Sequence, residues 1–335
     1  MISTSAPSKP ILEVRDLRKE FQTNQGRLVA VAGVDFQIGE SEIYGLVGES
    51  GSGKSTVGSV IVGMYPSNGG TVLFRGQDID RPAAKRSRDL KRQIQMVFQD
   101  PGGSLNPRQT IRQILSLPLR LHCGLTGQAL EAATADTIEK VGLSVSYLDK
   151  YPQVIGGGEK QLICIARALA PDPSFIVLDE PTSALDVSIQ AKISNKLLEL
   201  QEDLGLSYLF ITHNLALVRN LTHRTAIMYL GQLCETATTE EFFAHPLHPY
   251  TQMLLASIPV MSEEEEAYKP TEVKSVGEIP NPIHRPSGCG FHTRCPFCMD
   301  RCRTVSPPVT EISPGHQVSC HLYGDSTRKE EAKCG

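Results

Sequence analysis

The sequence predicts an α/β fold: a sheet carrying a phosphate-binding loop, preceded by antiparallel strands, interrupted by a helical insertion and followed by a small cysteine-rich extension. Three observations predict it. The stretch Gly48-Glu49-Ser50-Gly51-Ser52-Gly53-Lys54-Ser55-Thr56 fits GxxxxGK[ST] without a mismatch, between a strand-like run Ile43 to Val47 and a helix-compatible run Thr56 to Met64. Two short apolar runs, Phe175 to Leu178 and Ser207 to Thr212, flank an amphipathic stretch Ile189 to Leu204, as a strand, a crossover helix and a strand would. Residues 11–47 alternate apolar with polar side chains, as in Leu12-Glu13-Val14-Arg15, which suits half-buried antiparallel strands.

The remaining elements follow in order. Thr71 to Gly76 reads as an edge strand ending in a turn, and Gln93 to Gln99 as a strand ending on a polar residue. From Pro101 to Asp149 the pattern is helical, with Gly- and Pro-rich loops. An acidic run, Ser262 to Glu266, marks a solvated linker, and prolines become frequent after it. The expected division is therefore 1–262, with a helical subdomain at about 101–165, and an extension at 263–335. The length of 335 residues suits about two domains.

The loop's chemistry is specific. Its glycines let the backbone turn its N–H groups inward around a phosphate, and the helix behind it adds partial positive charge. Lys54 reaches the β- and γ-phosphates, and Ser55 ligates Mg²⁺. Asp179 and Glu180 close the strand Phe175 to Leu178, where the first carboxylate suits a cation and the second an attacking water. Gln99 and His213 each end another strand, at the edge where α/β sheets bind ligands. A nucleoside triphosphate is the expected ligand.

Composition excludes several classes. The 33 basic and 37 acidic residues leave a formal charge of −4, so nothing pulls the chain as a whole toward nucleic acid. No apolar run approaches the roughly 18–20 residues that span a bilayer, and Met1 to Pro10 lacks the apolar centre of a signal peptide. A soluble, cytoplasmic chain is expected, reaching a membrane only through partner subunits. Of nine cysteines, Cys123, Cys164 and Cys234 read as scattered. Cys289, Cys295, Cys298, Cys302 and Cys320 crowd one segment, with Cys334 at the tail. Such a local cluster reads as a metal or iron–sulfur site rather than as disulfides. Cys289, Cys295, Cys302 and Cys320 supply four thiolates for one [4Fe–4S] cluster, with Zn²⁺ or free structural thiols as the alternatives.

In this order (phosphate loop, Gln99, glycine cluster, Asp179-Glu180, His213) the chain resembles the ATP-binding subunit of an ABC transporter over about residues 11–260. The resemblance implies a P-loop ABC ATPase core that uses ATP and Mg²⁺. It makes Phe21 the residue that stacks on adenine, Gly48 to Thr56 the Walker A loop, and Gln99 the start of the Q-loop, with Ser55 and Gln99 holding Mg²⁺. Asp179 then ends Walker B, Glu180 is the catalytic carboxylate, Ser183-Ala184-Leu185-Asp186 is the D-loop, and His213 senses the γ-phosphate. Gln95 to Pro101, Ser104-Leu105-Asn106-Pro107-Arg108 and His245-Pro246-Leu247-His248-Pro249-Tyr250-Thr251 look like the dipeptide, oligopeptide and nickel importers. So does a C-terminal extension bearing cysteines, which favours the iron–sulfur option. Implied partners are a second ATP-binding subunit, two membrane permeases and, indirectly, an extracytoplasmic solute-binding protein. The implied location is peripheral, at the cytoplasmic face of the inner membrane. The solute itself is chosen by those other subunits.

One departure stands out. Where the family carries LSGGQ, this chain has Ile155-Gly156-Gly157-Gly158-Glu159. Gly156 lacks the serine hydroxyl, and Glu159 sets a carboxylate where glutamine is usual. In the family this loop closes on the partner's nucleotide, so an asymmetric pair with a different ATPase is expected. Two other readings compete: a soluble ABC-type ATPase acting on nucleic acid or ribosomes, and a subunit that binds ATP without hydrolysing it.

Overall fold

The computed structural model describes residues 10–257 and 277–323. The acidic run, the expected boundary at 262 and Cys334 lie outside the described residues. Twelve strands are described: β1 (Pro10–Thr23), β2 (Gly26–Gly39), β3 (Ile43–Val47), β4 (Gly69–Phe74), β5 (Gln77–Asp78), β6 (Ile94–Val97), β7 (Phe175–Asp179), β8 (Ser207–Thr212), β9 (Arg224–Tyr229), β10 (Gln232–Thr238), β11 (Thr310–Ser313) and β12 (His316–Val318).

They form two sheets. One is antiparallel, in the order β2-β1-β4-β5. The alternating pattern that predicts it is what burial shows: Leu12, Val14, Leu17, Val34, Phe36 and Ile38 point to the core. β4 is not the edge, as its sequence suggests, because Gln77–Asp78 doubles back and pairs with it.

The larger sheet runs β11-β12-β10-β9-β3-β8-β7-β6. Five consecutive strands, β9, β3, β8, β7 and the edge strand β6, run parallel. β3, β7 and β8 are buried along their whole length, which is why they read as continuous apolar runs. The crossover helix Val187–Leu204 is capped by Asp186, whose side chain accepts from the Ile189 N–H, and stops at Gly205 in the left-handed conformation. It packs Ile193, Leu197 and Leu200 into one core, which also holds Ile114, Leu115, Ile138 and Ile163 of the helical insertion. A second core lies between the two sheets, around Tyr44, Val57, Phe175 and Leu209.

The described part of the C-terminal extension has little core of its own and borrows one. Phe291 is 1% exposed, with its ring 5.4 Å from Tyr229 and 5.2 Å from Tyr250. β12 pairs antiparallel with β10, so the extension adds a hairpin to the main sheet. A buried carboxylate pins the seam. Glu235 on β10 accepts from the backbone N–H groups of Leu247 and His248, and its Oε1 lies 2.8 Å from Nε2 of His316.

Two histidines give this seam opposite pH limbs. Burial pushes the His248 imidazole down to about 4, although Glu235 pulls it upward. A depressed histidine contributes stability that is whole above pH ~6.5 and lost as pH falls toward 4, a drop of about 3 kcal/mol. For His316, burial lowers the pKa, but hydrogen bonding and charge from Glu235 and Glu241 outweigh it and raise it. That contribution is whole below pH ~6.5 and lost as pH rises through the raised value. Hydrogen exchange at residues 310–318, corrected for intrinsic rates, is expected to show greatest protection near pH ~6.5, with the larger loss on the acid side. His248→Asn is expected to flatten the acid limb. An unchanged limb would assign it to other groups.

Candidate active site

The parallel register brings four strand ends together. Val47 pairs with Thr212, Asp179 with Ile211 and Val97 with Leu178, so the segments after β3, β6, β7 and β8 leave the sheet at one edge. The loop after β3 wraps the start of the helix Lys54–Val62. Gly53 takes φ 106° there, and a Cβ on it would stand 2.2 Å from the Ala30 carbonyl oxygen, so only glycine fits. Lys54 is buried, and its Nζ donates to the carbonyls of Gly48 (2.8 Å) and Glu49 (2.9 Å) and to Ser52 Oγ (3.3 Å). Burial lowers its pKa; Glu180, Asp179 and Glu49 oppose that. The ammonium and the helix start together make a concave positive site for a polyphosphate. Gly48, Ser50, Gly51, Ser52 and Thr56 complete this loop and the first turn of the helix, as the motif predicts.

Asp179 ends β7 and is buried, and Ser55 Oγ donates to its Oδ1 at 2.9 Å. Burial raises the Asp179 pKa, Glu180 adds to the rise, and the Ser55 hydrogen bond lowers it. Among the described residues no group of three or more His, Cys, Asp or Glu side chains is placed to hold a metal ion. Mg²⁺ needs no such group: it commonly takes one or two protein oxygens and completes its shell with water and phosphate. Ser55 and Asp179 fit that role in kind and position.

Glu180 is a non-glycine residue at φ 46°, held by its N–H donating to the Ile211 carbonyl at 2.9 Å. This turn aims the carboxylate between two other strand ends. Gln99 Nε2 donates to Oε2 at 3.3 Å, and His213 Nδ1 lies 3.1 Å from Oε1. The Glu180 side chain is 12% exposed and that of His213 56%. A mostly enclosed carboxylate, flanked by an amide and an imidazole beside a buried lysine, is equipped to orient a water at a phosphate.

Comparison with known proteins agrees with this geometry. Residues 31–183 match the family described as ABC transporter, and residues 234–302 the oligopeptide/dipeptide transporter C-terminal region. A putative oligopeptide transport ATP-binding protein of Bacillus subtilis (strain 168), YkfD, is 44% identical over 97% of this chain and 99% of its own length. The chain belongs to the ATP-binding subunits of ABC transporters. The oligopeptide transport ATP-binding protein AppF of the same bacterium is 43% identical over 96% of this chain and 99% of its own. Among solved structures, CbiO1 of Clostridium perfringens, part of an ABC transporter complex, superposes with TM-score 0.63 at 26% identity, covering 71% of this chain and 92% of that one. The ABC ATPase fold is thereby established, and the site is that of an ATP-hydrolysing enzyme.

In this ABC subunit the segment expected to be the signature loop opens a helix of its own. Gly156 N-caps the helix Gly157–Leu169 without any side-chain hydrogen bond, as its missing hydroxyl dictates. The Glu159 carboxylate folds back toward it: a Cβ on Gly156 would stand 2.6 Å from Glu159 Oε2. Cβ atoms on Gly157 and Gly158 would meet Leu185 and Ile189, so the glycines let this helix start approach the segment after Glu180. Phe21 sits on β1, its ring edge-on to Tyr65 at 5.3 Å and 5.0 Å from Lys19 Nζ.

The four expected cluster ligands share one neighbourhood but do not stand as a formed ligand set. Burial, then Cys289, Cys295 and Cys302, push the Cys320 thiol up to about 12. Burial, then Cys289, Cys302 and Cys298, push that of Cys295 up to about 11. Cys234, classed as scattered from sequence, belongs here too: its buried thiol is raised by burial and then by Cys289, Glu235 and Cys320. The pairing of Glu235 with Val318 brings it in, and no local motif announces that. The described cysteines form no disulfide. Sequence reasoning also missed Tyr250, whose hydroxyl accepts from the Glu49 N–H at 3.0 Å, and Arg294, which grips the Glu49 carboxylate. The His-Pro-Tyr run around Tyr250 is a visible signal; nothing local marks Arg294.

Proposed function

We propose that this chain is the ATP-hydrolysing subunit of a membrane importer of di- or oligopeptides, bound peripherally at the cytoplasmic face of the inner membrane. The observation that carries the reading is the convergence of Lys54, Ser55, Asp179, Glu180, Gln99 and His213 at one sheet edge. The loop 48–56 binds the phosphates, with Lys54 on the β- and γ-groups. Ser55, Gln99 and Asp179 serve the Mg²⁺ that accompanies ATP, and Phe21 with Tyr65 offers the adenine an aromatic face. Glu180 orients and polarises the attacking water, and His213 holds Glu180 and reads the γ-phosphate. The peptide assignment is supported by the C-terminal family match and by relatives named for peptide transport. Among the described residues no helix is long and apolar enough to cross a membrane, so passage of a solute falls to two permease partners, with a solute-binding protein outside. Residues 1–262 form the nucleotide-binding unit in this reading, and 263–335 the extension.

Gly156 and Glu159 give the partner's nucleotide fewer donors and one more negative charge than LSGGQ does. A non-identical second ATPase with an intact signature therefore completes the stronger site, over Lys54 and Glu180 of this chain. For the cysteines, the reading takes the crowding of Cys289, Cys295, Cys302 and Cys320 in one segment as the four-thiol donor set of a [4Fe–4S] cluster, with Zn²⁺ as the alternative. Bound metal would take these four side chains as thiolates and would tie the loops together.

Anaerobic purification of the whole membrane complex tests the reading. A second ATP-binding subunit, two permeases, about four iron per chain and ATP-dependent uptake of a labelled tripeptide into vesicles are expected. Uptake of nickel but not of peptide would move the solute assignment. Recovery with ribosomes or nucleic acid and no permease would sink the transport reading. Stoichiometric zinc, or no metal, would replace the cluster by zinc or by plain thiols. Gly156→Ser with Glu159→Gln should raise ATP affinity at the partner's site, and no change there would remove the asymmetry.

A further inference from the structure

Glu49 is an awkward residue for the second position of an anion-binding loop. Its backbone serves the loop directly: the carbonyl accepts from Lys54 Nζ at 2.9 Å and from the Ser52 N–H at 3.2 Å. Its carboxylate is an unfavourable negative charge on the rim of a phosphate site. The structure answers that charge from far along the chain. Arg294 Nη1 donates to Glu49 Oε2 at 2.7 Å and Nη2 to Oε1 at 3.2 Å, a two-pronged pairing that fixes the carboxylate in both position and orientation. The Arg294 side chain is 8% exposed and that of Glu49 24%, so water screens the pair only partly.

The guanidinium is itself held. Its centre lies 5.8 Å from the Tyr229 ring and 5.7 Å from the Phe291 ring, the anchor that seats the extension on β9. The Arg294 N–H donates to the Phe291 carbonyl at 3.0 Å, so the arginine and its anchor belong to one turn. Tyr250 closes the arrangement from the other side, its ring on Phe291 and its hydroxyl on the Glu49 N–H.

We propose that Arg294 is a positioning residue for nucleotide binding: through Glu49 it neutralises the rim of the phosphate loop and fixes the carbonyl that holds Lys54. The extension thereby becomes part of the ATP site's support. The proposal rests on the loop being the ATP site, and it goes beyond that reading by assigning a task to a residue 245 positions away.

Arg294 could instead serve only to fasten the extension. The two roles separate in the full-length chain by titration with MgATP and a fluorescent nucleotide, alongside steady-state kinetics of the complex. Arg294→Met is expected to weaken MgATP binding and raise KM about tenfold while kcat stays within about twofold, because ground-state affinity is lost and not the water-orienting step. Arg294→Lys, which keeps the charge but not the fork, should fall between. Glu49→Gln combined with Arg294→Met should recover most of the loss, since the charge that Arg294 answers has gone. A fastening role predicts the reverse: the double variant binds as weakly as Arg294→Met, and residues 277–323 become protease-sensitive in both. Unchanged affinity in Arg294→Met, or no recovery in the double variant, overturns the proposal. Should Arg294→Met lose its thermal transition, the double variant decides alone by the same criterion. Failure of the unsubstituted chain to bind MgATP would instead defeat the assignment of the loop.

Discussion

Glu180→Gln is expected to bind MgATP as the parent chain does and to lose turnover by about 10²–10³-fold. The substitution keeps the side chain's shape and its contacts with Gln99 Nε2 and His213 Nδ1 within reach of an amide. It removes the negative charge that orients the attacking water. The backbone at φ 46° is set by the Ile211 carbonyl and the turn to Ser183, not by the carboxylate, so the fold should persist. Steady-state phosphate release by the assembled transporter, measured beside nucleotide binding, checks this. Undiminished release would sink the catalytic assignment.

Lys54→Ala is expected to act earlier, on binding itself. The ammonium is the one basic side chain that the phosphate loop carries, and loss of its charge-assisted contacts with phosphate should cost about 10–100-fold in MgATP affinity. It has a second effect. The Gly48 and Glu49 carbonyls and Ser52 Oγ, which it now gathers, lose their shared donor, so the loop should loosen as well. Equilibrium titration with MgATP reads the first effect, and hydrogen exchange over 48–54 the second. Affinity within twofold of the parent would reject the lysine's role.

Much of this site is legible in the amino-acid sequence itself. The phosphate loop can be read because its chemistry is local: glycines at left-handed positions, a lysine and a hydroxyl must stand at fixed spacing on one turn. Asp179, Glu180, Gln99 and His213 could be placed because each ends an apolar strand, and parallel strands in register must end together. What escaped is long-range and carried by single side chains. The grip of Arg294 on Glu49, the Tyr250 hydroxyl on the loop and Cys234 among the C-terminal thiols all depend on where β12 and Phe291 dock, and no periodicity encodes that. The edge position expected for β4 failed for a related reason: a two-residue strand, Gln77–Asp78, is too short to give a pattern.

The pairing of β12 with β10 also has a consequence for how the molecule keeps to itself. Without it, β10, seven residues long and paired on one side to β9, would present an open row of amide and carbonyl groups. Such a row invites any extended segment, including that of a sister molecule. The hairpin moves the free margin outward to β11, only four residues long and carrying the exposed Glu311. A short strand with an outward charge is a poor template for further growth. The extension therefore guards solubility while it supports the ATP site, and a chain cut before residue 277 would shed both services at once, leaving a bare margin beside the apolar seat that Phe291 now fills.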